Sequence, residues 1–169
     1  MSGPLLTFHH HGLAVKSPDD AFCFLHTLGY TIGGALFDPL QRVRLALCTH
    51  DAMPTVEVVW PGDGPSPIDR ILRGGPSIYH TCYATPDAAA WIESVQQGGV
   101  DIVEISPPTP AILFGGRHVS FHFVSGVGVV ELLHLDTAAR PDGAASSEAP
   151  AAVDLSKLLN LSILTGGTA

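Results

Sequence analysis

The stretch Thr7-Phe8-His9-His10-His11-Gly12-Leu13-Ala14-Val15 decides how the chain is read. Its composition and alternation predict a strand, and three consecutive imidazoles are unusual in one. A second such run follows seventy residues later, Ser77-Ile78-Tyr79-His80-Thr81-Cys82-Tyr83-Ala84-Thr85, with His80 in the place of His10. Strict alternation puts His10, Gly12 and Ala14 on one face of the first strand and His9, His11, Leu13 and Val15 on the other.

Two further pairs of segments repeat. Pro18-Asp19-Asp20-Ala21 answers Pro86-Asp87-Ala88-Ala89 at a spacing of 68, and Val56-Glu57-Val58-Val59 answers Val130-Glu131-Leu132-Leu133 at 74. Three anchors at nearly one spacing imply a duplicated βαβββ module, an α+β arrangement. The first module covers residues 1–64, a Gly- and Pro-rich linker 65–76, and the second module 77–136. Residues 137–169 read as a flexible tail with a short amphipathic helix near 154–164.

Within each module a Pro-Asp helix start follows the first strand. Ser17 is a cap candidate, Ala21, Phe22, Phe24, Leu25 and Leu28 form an apolar stripe, and Gly29 stops the helix. Strands are expected near 30–36, 43–48 and 55–60. The second helix should run from Thr85-Pro86-Asp87 to about Gln97, followed by strands near 100–104, 118–123 and 128–135. Pro107, Pro108 and Pro110 predict an irregular loop, and Gly115-Gly116 a tight turn before Arg117.

Charge excludes one class of partner. Eight basic residues against 16 acids leave a net charge of -8, with no surface to track a nucleic-acid backbone. Arg42, Arg44, Arg70, Arg73 and Arg117 still suffice for a local pocket that takes an anionic small molecule. No basic-then-apolar leader and no membrane-length run is present, so the expected location is cytoplasmic. Cys23, Cys48 and Cys82 lie in apolar surroundings without a CxxC pair, which predicts buried free thiols.

The chemistry concentrates in four residues. Of the five glutamates, Glu57 and Glu131 interrupt apolar runs, where a carboxylate needs a partner or a cation. His10 and His80 open the modules, and Glu57 and Glu131 occupy their last strands. Folded together, they form a mixed N/O shell suited to a divalent metal ion such as Ni, Co, Zn, Mn or Fe, able to act as a Lewis acid. His11 is the competing register for His10. His118, His122 and His134 are candidates for lining a pocket, His26 and His50 read as surface or loop residues, and Asp38, Tyr83 and Arg117 are candidate neighbours of the site.

Four segments carry a family resemblance: His10-His11-Gly12-Leu13-Ala14-Val15, Val56-Glu57-Val58-Val59-Trp60-Pro61, Tyr79-His80-Thr81-Cys82-Tyr83-Ala84 and Gly128-Val129-Val130-Glu131-Leu132. The chain resembles the vicinal oxygen chelate superfamily, which includes glyoxalase I, bleomycin-resistance proteins and extradiol dioxygenases, and its pattern is most like the methylmalonyl-CoA epimerases. The resemblance implies paired βαβββ modules curled into an incomplete barrel around a metal held by His10, Glu57, His80 and Glu131. It also implies that Glu131 serves as both ligand and base. The epimerases' second catalytic Glu falls where this chain has Leu40, in Pro39-Leu40-Gln41-Arg42-Val43, and Asp38 is the nearest carboxylate that could replace it.

The expected activity is therefore metal-dependent proton transfer beside the carbonyl of an acyl thioester (acyl-CoA) or α-hydroxycarbonyl substrate, as in an isomerase or lyase. The alternatives are a non-heme Fe(II) dioxygenase and a non-enzymatic drug- or metabolite-binding resistance protein. Open sheet edges suit a homodimer.

Overall fold

A computed structural model describes residues 5–136; the expected tail helix lies outside them. Nine strands and two helices follow the duplicated order. The first half contains β1 (Thr7–Ala14), α1 (Asp19–Thr27), β2 (Thr31–Ile32), β3 (Leu36–Asp38), β4 (Val43–Thr49) and β5 (Val56–Pro61). The second contains β6 (Ser77–Thr85), α2 (Ala88–Gln97), β7 (Ile102–Pro110), β8 (His118–Val124) and β9 (Gly128–His134).

The sheet runs β2-β4-β5-β1-β6-β9-β8-β7, with β3 also paired to β4. β1 and β6 meet antiparallel at the centre, and each lies parallel to the last strand of its own half, β5 or β9. β2 and β7 do not pair, so the barrel stays open. The sheet nevertheless curls: Val43 and Leu45 of β4 share one buried cluster with Ile105 of β7 and Val119 and Phe121 of β8. The linker closes this cluster from below. Its two 3₁₀ turns, Pro67–Asp69 and Ile71–Gly74, bury Ile68 and Leu72, and the Asp69 carboxylate accepts the Ser66 N–H at 2.8 Å.

Several local expectations are corrected. The strand expected near 30–36 is two short pieces separated at Gly33-Gly34; a Cβ on Gly33 would strike the Leu47 carbonyl. The Ser17 hydroxyl donates to the Asp19 carboxylate instead of capping α1. Of the α1 stripe only Leu25 is buried, while Phe24 is 62% exposed and Leu28 42%. Cys23 is exposed as well, and only Cys48 and Cys82 are buried thiols. Residues 107–110 continue a strand where a loop was expected. Pro107 and Pro108 occupy a bulge between the pairs Ser106↔Phe121 and Thr109↔Val119, on an edge strand where missing N–H groups cost no ladder bond.

The outer layers of the two halves differ in chemistry. Under α1 the layer is apolar: Val15, Leu25, Tyr30, Cys48 and Val58 are buried, and Phe22 meets Trp60 edge to face. At positions 74 residues after Ala46, Cys48 and Trp60 stand Ser120, His122 and His134, all buried. The Ser120 hydroxyl lies 3.0 Å from His122 Nε2 and 2.9 Å from His134 Nε2. A cavity of about 560 Å³ opens beside them, bounded also by Asp87, Glu104 and Asp136.

Burial, helped by the neighbouring His134, pushes the His122 imidazole down to about 4. A group depressed in the folded state stabilises it above the unfolded value, and that contribution is lost as pH falls. Between pH 6.5 and 4, His122 should therefore cost the fold on the order of 3 kcal/mol. Urea midpoints measured across this range should fall less steeply in His122→Leu than in the parent.

Candidate metal centre

Each half supplies one imidazole and one carboxylate to a common point. On β1, alternation places His10, Gly12 and Ala14 inward, and on β5 it does the same for Glu57 and Val59. β6 turns His80 and Cys82 inward, and β9 Glu131 and Leu133. The parallel registers β1–β5 and β6–β9 bring these rows level, with Gly12 opposite Glu57 and Cys82 opposite Glu131. The antiparallel β1–β6 seam then sets Gly12 against His80. A Cβ on Gly12 would enter the His80 ring, so only glycine leaves that imidazole its place.

The four side-chain ends converge. His10 Nε2 lies 3.2 Å from His80 Nε2, 3.2 Å from Glu131 Oε2 and 3.4 Å from Glu57 Oε2. His80 Nε2 lies 3.1 Å from Glu131 Oε2 and 3.4 Å from Glu57 Oε2. Two ligands about 2.1 Å from one ion stand roughly 3.0 Å apart at a right angle and roughly 3.4 Å apart at the tetrahedral angle. The observed separations fall within that span. All four residues are at most 5% exposed.

Charge makes the same demand. Burial alone would lower the His10 imidazole, but its close contacts with the Glu131 and Glu57 carboxylates outweigh this and hold it up at about 10. His80 is likewise raised against the effect of burial, chiefly by the Glu131 charge. Burial favours protonated carboxyls, yet the imidazoles hold both Glu57 and Glu131 below the usual range. Glu131 Oε2 is buried 3.1–3.2 Å from both imidazole nitrogens, yet it accepts no hydrogen bond of acceptable geometry among the described residues. Two buried carboxylates require positive charge between them, either as protons on the imidazoles or as one divalent cation. The donor set and its orphaned oxygen fit the cation.

His9, His10 and Cys82 form a second group whose nitrogen and sulfur atoms lie within 4.8 Å of one another. Burial and the Glu131 charge push the Cys82 thiol far up, which keeps it protonated and a poor ligand.

The other candidates separate clearly. His11 faces outward, its Nδ1 3.4 Å from the Thr81 hydroxyl and its ring against Phe8, so the competing register is ruled out. His122 and His134 do line a cavity, but on the outer layer and away from the four ligands. Tyr83 packs in that outer layer, and Arg117 Nη1 donates to the Leu135 carbonyl. His26 is exposed, and His50 accepts the Ala52 and Met53 N–H groups. Asp38 is buried near Glu57, but its Oδ1 accepts the N–H groups of Leu40 and Gln41 at 2.9 and 3.1 Å. That carboxylate fastens the 38–41 turn. Alternation misassigned His9: it lies inward beside His10, as does Tyr79 beside His80, because β1 and β6 each carry a bulge.

The model of the glyoxalase/bleomycin resistance protein/dioxygenase superfamily matches residues 9–121, and the chain belongs to that superfamily. Among solved structures it is similar to methylmalonyl-CoA epimerase from Mycobacterium tuberculosis, at 22% identity and a TM-score of 0.63, over 79% of this chain and 91% of that one. A hypothetical protein from Bacillus halodurans aligns at 21% identity and a TM-score of 0.63, over 85% and 100%. A Streptomyces coelicolor methylmalonyl-CoA epimerase variant in complex with 2-nitronate-propionyl-CoA aligns at 20% and 0.59, over 78% and 98%. These likenesses establish a shared fold. No curated protein matches the chain.

Gly12→Ala should displace the His80 ring and weaken divalent-metal binding by at least about tenfold, as loss of ligand geometry does. Zinc titration against a competing chelator measures this, and circular dichroism checks that the variant folds.

Proposed function

We propose that the chain is a metal-dependent enzyme of isomerase type, moving a proton on the carbon beside a carbonyl. Its substrate class is an acyl thioester such as an acyl-CoA, or an α-hydroxycarbonyl compound. The observation that carries this reading is the convergence of His10, Glu57, His80 and Glu131, buried and drawn from both halves of the sheet. Held by these four, a divalent ion supplies a Lewis acid for the substrate carbonyl and raises the acidity of the adjacent C–H bond. A protein that only sequesters a metabolite gains nothing from burying four ionisable groups, each costly to desolvate.

Glu131 is the residue assigned to move the proton. Its carboxylate lies inside the buried cluster and is held ionised by the neighbouring imidazoles. His10 and His80 keep that carboxylate in place from two sides. Phe114 beside His10 and Phe121 beside His80 make the surrounding wall apolar, which excludes water from the exchanging proton. The acyl-CoA preference draws on the epimerase likeness.

Proton transfer is one-sided in this reading. Asp38 is committed to its turn, and Leu40 carries no proton to deliver to the opposite face of a planar intermediate. One base serving one face gives exchange with retained configuration when the proton returns to the same carbon, and isomerisation when it is delivered to a neighbouring atom of the intermediate.

Protein purified without an affinity tag should contain about one divalent ion per chain and release protons on loading, since ligands give up protons to the metal. Glu131→Gln and His80→Ala should lose the ion. In deuterium oxide the parent should label candidate acyl-CoA esters or α-hydroxyketones with retention of configuration, and Glu131→Gln should slow labelling by about 10²- to 10⁴-fold. A metal-free parent, or one that consumes O₂ without labelling any such substrate, would overturn the assignment.

A further inference from the structure

The two ligand imidazoles differ in what stands behind them. Along the β1–β6 seam Phe8 lies opposite Tyr83 and His10 opposite Cys82, so His9 is an extra residue on β1. The bulge re-aims its side chain, bringing His9 to the interior beside His10. His9 Nδ1 then sits 2.8 Å from His10 Nδ1, with the rings nearly perpendicular at 80°. The far side of His9 rests edge-on against Phe114, at 5.3 Å between ring centroids.

The second half repeats the bulge without repeating the bond. Gly12 lies opposite His80 and Leu13 opposite Ile78, so Tyr79 is the extra residue there and its ring meets His80 at 83°. His80 Nδ1 is buried and has no hydrogen-bond partner among the described residues. One ligand is therefore backed by an acceptor and the other is not.

We propose that His9 is the positioning residue of the metal centre: its Nδ1 lone pair accepts the His10 Nδ1 proton and thereby fixes the tautomer and ring plane that leave His10 Nε2 free for the ion. Only one arrangement of protons satisfies the contact once an ion is bound. His10 Nε2 faces Glu57, Glu131 and His80, so its lone pair lies there and its proton on Nδ1. His9 accepts at Nδ1 and carries its own proton on Nε2. Metal-bound histidines depend on such outer partners, which orient the ring and raise the basicity of the ligating nitrogen.

This inference rests on the proposed metal centre, and the test separates the two. Zinc affinity by chelator competition and the visible absorption of the cobalt form are measured for the parent, His9→Phe, His9→Asn and Tyr79→Phe. His9→Phe retains a ring against Phe114 and lacks the acceptor; His9→Asn retains an acceptor. Zinc binding should weaken by about 10- to 100-fold in His9→Phe and recover to within roughly threefold of the parent in His9→Asn, with Tyr79→Phe near the parent. The cobalt band of His9→Phe should shift, and that of His9→Asn should not. Unchanged affinity and spectrum in His9→Phe, or equal losses in the Phe and Asn variants, would overturn the positioning role while leaving the metal centre standing. A parent that binds neither zinc nor cobalt overturns both.

Discussion

Everything in this molecule is arranged around two carboxylates buried 3.1–3.4 Å from two imidazole nitrogens. Stranding one such charge by removing its partner costs roughly 3–5 kcal/mol, a large share of a small domain's stability. The cluster therefore exists only because the surrounding apolar packing holds it together and because positive charge sits within it. The apolar wall of Val59, Cys82, Phe121 and Leu133 is what makes the site dry, and dryness is what makes the charges strong. Packing and chemistry are one constraint here.

Duplication supplies the geometry, and its imperfections set the two halves apart. Each half delivers a His from its first strand and a Glu from its last, so two copies joined at the β1–β6 seam complete a set that one copy leaves half made. The copies have diverged in what surrounds this shared core. The first half packs hydrocarbon beneath its helix, whereas the second places Ser120, His122 and His134 there. Behind the imidazoles, His9 Nδ1 lies 2.8 Å from His10 Nδ1, while His80 Nδ1, beside Tyr79, has no hydrogen-bond partner among the described residues.

The convergence of His10, Glu57, His80 and Glu131 is legible in the sequence because it follows from simple rules. Alternation along a strand places Glu57 and Glu131 inward, and the repeat spacing pairs His10 with His80. Bulges defeated the same rule. An extra residue on one strand has no signature in a period-two pattern, so His9 was placed on the wrong face. Pro107 and Pro108 misled for a related reason, since prolines argue against a strand except at an edge or bulge, and which strand forms the edge is a property of the whole sheet. The exposure of Phe24 depends on how α1 is rolled against the sheet, and five apolar residues on one short helix do not determine that.

The β1–β6 seam also governs how the molecule comes into being. β1 must wait for β5 and then for β6, so its neighbours arrive from tens of residues downstream. Such distant pairings are slow to find, because loop closure opposes them before any contact compensates. The four donors lie at residues 10, 57, 80 and 131, so the complete set forms only when the first and last strands have met. In the proposed metal centre the fourth donor comes into place only with β9, and an ion bound there would favour the folded chain over the unfolded one.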